Sequence, residues 1–92
     1  MAQIIYPDGT RRDVLPKGKT YSLEELQHIV GGYIEIAPTT DGGLLVMDEE
    51  GRLKGKPFNG TATKLYLHNN NGRNFIVGTV LYVPSTETYM IN

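Results

Sequence analysis

The sequence predicts an α+β domain: a small, mostly antiparallel sheet with two short helices, in the order ββ-α-ββ-α-β. Three observations predict it. Short runs of strand-forming residues alternate with turn residues along most of the chain. One segment, 22–32, carries a full set of helix start and stop signals. A second, shorter helical segment follows Asn59, a good N-cap residue. At 92 residues there is room for a single domain, 1–92, and no second core.

The first element is a hairpin. Strands over 3–6 and 11–15 flank Pro7-Asp8-Gly9-Thr10, where proline pre-sets φ and Asp-Gly supplies the positive φ of a tight turn. Ser22-Leu23-Glu24-Glu25 is a capping box, and Leu23, Leu26, Ile29 and Val30 recur at helical spacing up to Gly31-Gly32. The spacing therefore predicts a helix over 23–30. Residues 32–37 and 44–47 read as two strands around the turn Thr40-Asp41-Gly42-Gly43. After the turn at 48–51, residues 52–54 leave room for a short extra strand. A second helix runs from Thr61 to about Leu67 and buries Ala62, Leu65 and Tyr66. Residues 69–72 form a loop. The run 75–83 is almost continuous strand chemistry, as expected of a central strand or one covered by a partner subunit. Both helices are expected on one face of the sheet.

Composition excludes several function classes. With no cysteine there is no disulfide scaffold and no thiolate metal site. A net charge of −1 argues against a sequence-specific nucleic-acid binder. The apolar runs are far shorter than the ~20 residues of a membrane span, and no basic segment precedes an apolar one at the start, so neither a membrane nor a secretory route is expected. Catalysis lacks a constellation. His28 and His68 sit in no metal-binding spacing, and Asp48, Glu49 and Glu50 stand consecutively on a turn. The chain is read as a non-enzyme without cofactor or metal.

Charge is separated along the chain although the total is near zero. From Tyr21 to Glu50 there are acids and no Lys or Arg; from Gly51 to Asn74 there are Arg52, Lys54, Lys56, Lys64 and Arg73 and no acid. The bases lead into the start of the second helix, whose free N–H groups attract anions. Lys54 and Lys56, two apart on an extended stretch, point the same way. An anion site is therefore expected from Lys54, Lys56, Asn59, Thr61 and Thr63, with Arg52 or Arg73 adding a guanidinium and Tyr33 or Tyr66 stacking on a base.

Three ordered blocks carry a likeness. The run 23–36 (LEELQHIVGGYIEI), the run 48–66 (DEEGRLKGKPFNGTATKLY) and the run 76–81 (IVGTVL) resemble a small domain family of unknown function encoded in tailed-phage, prophage and mobile-element genomes. That pattern carries an aliphatic residue where Lys56 stands. The resemblance implies a small protein acting in the cytoplasm of an infected bacterium and transfers no catalytic set. In that setting the first expectation is a homo-oligomer that sequesters an anionic, nucleotide-derived immune signal. The alternative is a protein-interaction module that inhibits or adapts a host protein through its acidic 35–50 stretch or an exposed strand edge.

Overall fold

Turn chemistry fixes the first hairpin. The Asp8 carboxylate accepts the Thr10 amide at 2.9 Å and the Thr10 hydroxyl at 2.7 Å, and Gly9 takes φ +90°. In the computed structural model, which describes residues 1–68 and 75–91, this turn joins β1 (Ala2–Ile5) to β2 (Arg11–Val14). The helix α1 spans Leu23–Val30, as the spacing predicts. Its capping box is complete: the Ser22 hydroxyl accepts the Glu25 amide at 3.1 Å, and the Glu25 carboxylate accepts the Ser22 amide at 3.0 Å. Gly31 closes it in the left-handed region at φ +82°.

A second hairpin follows, β3 (Ile34–Pro38) and β4 (Leu44–Asp48), then α2 (Gly60–Leu65) and β5 (Val80–Val83). The sheet order is β2-β1-β5-β4-β3, with every neighbouring pair antiparallel. The last strand is thus the central one. Val80, Leu81 and Val83 have no solvent exposure, which is why both faces of this strand are apolar.

The fold class stands, and four details differ from expectation. The helices lie on opposite faces: α1 packs with Ile4, Val46, Leu81 and Val83, whereas α2 and Ile76 pack with Ile5, Leu45, Met47 and Val80. Alternation along β1, β4 and β5 makes both faces apolar, so each needs its own cover. The expected strand 75–83 shrinks to Val80–Val83, because Gly78 turns to φ +78° and donates its amide to Pro57 O at 2.7 Å. Its first part pairs instead with 57–59 through the Phe58–Val77 bridge. Residues 52–54 form no strand: the Lys54 amide donates to Glu50 O at 3.0 Å, closing a turn. The second helix stops at Leu65 because Tyr66 bridges to Thr39 and the Leu67 amide donates to Pro38 O at 3.0 Å. The loop expected over 69–72 lies outside the described residues. The tail forms a 3₁₀ turn, Ser85–Met90, and its Met90 and Ile91 pack on the α1 face of the chain's own core.

Asn59 ties the second face together. Its side chain is fully buried and uses every group: Oδ1 accepts the Ala62 amide at 3.0 Å, while Nδ2 donates to Ile5 O at 3.1 Å and Gly78 O at 2.9 Å. It joins the end of β1, the approach to β5 and the first turn of α2. Asn59→Ala removes the cap and strands two buried carbonyls, so urea unfolding should show a loss of about 3 kcal/mol. Asn59→Asp should be no better at neutral pH, because a carboxylate would face both carbonyls.

Candidate functional site

The basic stretch folds back onto the acidic half of the chain. After β4 the turn at 51–55 reverses direction and brings both lysines over Asp48. Lys54 Nζ lies 2.9 Å and Lys56 Nζ 2.6 Å from Asp48 Oδ2. Each ammonium also caps the carboxyl end of α1: Lys56 donates to Val30 O at 2.7 Å and Lys54 to Gly31 O at 3.3 Å. The Asp48 side chain is 1% exposed, and burial alone would raise its carboxyl. The hydrogen bonds from Lys56, Lys54 and the Glu50 amide outweigh that and bring it down to about 2. The same pairing raises Lys54. Gly32 leaves room for this knot: a Cβ there would come within 2.5 Å of Lys54 Nζ and 2.9 Å of the Asp48 carboxyl carbon, so the charged groups would have to shift.

The residues expected to form one anion site are therefore split. Lys54 and Lys56 come together, but around a carboxylate of this chain. Tyr33 and Lys54 line a shallow cavity of about 220 Å³ shared with Glu50. Asn59 is buried and fully bonded, and the Thr63 hydroxyl donates to Asn59 O at 2.8 Å while accepting the Ile76 amide at 2.9 Å. Thr61 is half-buried beside the β1–β2 turn. Arg52 stacks its guanidinium 4.8 Å from the Phe75 ring centre. Tyr66 is 1% exposed, so it has no free face for a base, and Arg73 lies outside the described residues.

A larger opening lies elsewhere. Between β2 and α1 runs a groove of about 680 Å³, within the ~300–1,000 Å³ usual for ligand sites. Ile4, Val14, Leu15 and Ile29 give it apolar walls, and Arg12, Lys17, Glu24 and His28 stand around them. It exists because α1 packs mainly on β3, β4 and β5 and leaves β2, at the edge of that face, open. Glu25 also lines the groove but is already engaged, accepting the amides of Ser22 and Lys17, which lower its carboxyl. The Arg12 side chain has no hydrogen bond or ion pair among the described residues. The sequence carries one sign of this groove: Val14 and Leu15 are adjacent apolar residues, and only one of them can face the core.

Both walls fall inside the segment that a family model recognises. The model is described as a domain of unknown function, DUF3846, and it matches residues 4–90. The chain belongs to the DUF3846 family. No curated protein and no solved structure matches it. Among the described residues of this DUF3846 chain no cluster of three or more His, Asp or Glu side chains is placed to hold a metal ion, and no helix is long and apolar enough to cross a membrane.

The Asp48 knot makes the DUF3846 chain acid-sensitive in a defined window. Its carboxyl titrates near 3.8 when unpaired and about 2 when folded, so its contribution is complete above pH ~4 and is lost as pH falls toward 2. Asp48→Asn should cost about 2 kcal/mol at pH 7, less than a fully buried pair because the lysines reach solvent. In unfolding titrations the gap between wild type and variant should hold from pH 7 to 5 and close between pH 4 and 2. A gap independent of pH would place the effect outside this carboxylate.

Proposed function

We propose that the chain is a non-enzymatic protein-interaction module that engages its partner through the groove between β2 and α1. The observation that carries this reading is the groove itself: an open, apolar-walled cavity beside an edge strand that is uncovered among the described residues, with an Arg12 side chain at its rim that has no partner among them. Sequestration of an anionic nucleotide-like ligand has less support. Lys54 and Lys56 already serve Asp48 and the end of α1, and Asn59 has no free group. The phage setting implied by the sequence blocks makes the partner a host protein in the bacterial cytoplasm. A chain this small gains stability and contact area from assembly, so self-association accompanies the same reading.

Tagged protein incubated with bacterial lysate should retain one stoichiometric protein. Leu15→Glu and Arg12→Glu change exposed side chains of the groove and should each weaken retention at least about tenfold. Lys64→Glu, exposed on α2 across the sheet, should leave it intact. Retention unchanged in both groove variants contradicts the reading. So does recovery of a small anion, released by heat, in place of a protein.

A further inference from the structure

The groove is flanked by the open edge of the sheet, and the two features share a geometry. The other edge, β3, is partly covered: the Leu67 amide bonds Pro38 O at 3.0 Å and the Thr40 amide bonds Leu65 O at 2.9 Å. No such cover lies along β2 among the described residues. The register shows which of its groups are free. The Tyr6 amide donates to Thr10 O at 2.9 Å, so in the pairing of Ile4 with Arg12 and Ala2 with Val14 those residues bond each other. The N–H and C=O of Arg11 and Asp13 then point away from the sheet. Arg12 and Val14 turn their side chains to the α1 face, where both line the groove.

We infer that β2 takes an extended segment of a partner protein as a sixth, antiparallel strand, with its side chains seated in the groove against α1. This rests on the reading of the groove as the interaction surface. The chemistry of the segment follows from the register. On the outer side of β2, Arg12 and Val14 occupy non-hydrogen-bonded positions, where facing side chains approach most closely. An acid is matched to unpaired Arg12, and an apolar residue is matched to Val14 with Leu15 and Ile29 beside it. Because the added strand runs antiparallel, the apolar residue comes first and the acid two positions later. The order apolar-x-acid is thus specified, and acid-x-apolar is not.

A displayed library of random nonapeptides, selected on the full chain, reads this directly. The expected result is enrichment of apolar-x-acid over acid-x-apolar, and reversal toward apolar-x-Lys when selection uses Arg12→Glu. Asp13→Pro removes an outward amide, which an edge strand tolerates, together with the side-chain bond from Gln3 Nε2 at 2.9 Å, and should abolish binding of the selected peptides. Asp13→Ala, which loses the same carboxylate and its bond to Gln3 but keeps the amide, should bind them within about twofold. Thermal unfolding checks that both variants fold. Equal binding by Asp13→Pro and Asp13→Ala, enrichment of both orders alike, or no enrichment at all overturns strand addition. If the lysate partner is still lost in Leu15→Glu and Arg12→Glu, the groove reading survives such a failure.

Discussion

Where α1 sits is decided by one buried carboxylate. Asp48, at the end of β4, holds two lysines, and each lysine in turn holds a carbonyl at the end of the helix. The knot therefore fastens the carboxyl end of α1 to the β4 side of the sheet. The amino end is fixed by the Tyr21 amide, which donates to Met90 O at 2.9 Å. Between these two anchors the helix crosses β3, β4 and β5, and Leu26 and Val30 fill the space above Val46, Leu81 and Val83. Strand β2, at the edge, is left without a cover on that face, and the groove is the consequence.

The opposite face depends on Asn59 in the same way. A short helix of six residues has little stability of its own. It is held because one buried amide caps it and also bonds the ends of β1 and of the turn before β5. Burying Asn59 and tying the lysines to Asp48 removes the polar groups that a phosphate site would have used. Both sets of residues are spent on positioning elements. What remains open is an edge strand and an apolar recess, and these suit a protein segment better than a small anion.

Local signals were legible and distant ones were not. The bounds and both caps of α1 follow from Ser22, Glu25 and Gly31, because capping is settled within a few residues. The central place of β5 follows from a run apolar on both faces. The partner of the lysines did not, since Lys56 meets Val30 across 26 residues and nothing local marks that approach. The Gly78 break was hidden for a related reason: its positive φ is set by the bond to Pro57, a tertiary contact. The groove was the least legible feature. Its one local sign is the adjacent pair Val14-Leu15, and only the lateral offset of α1 leaves that pair and Ile29 facing an opening.

The most direct measurement is amide hydrogen exchange on the full chain, free and bound to a protein recovered with it in the proposed lysate experiment. Slowed exchange at Arg11 and Asp13, together with protection along 14–17 and 23–29, is the expected result. Protection confined to the 51–58 turn or to β3, with the β2 amides exchanging as in the free chain, would contradict recognition through the groove.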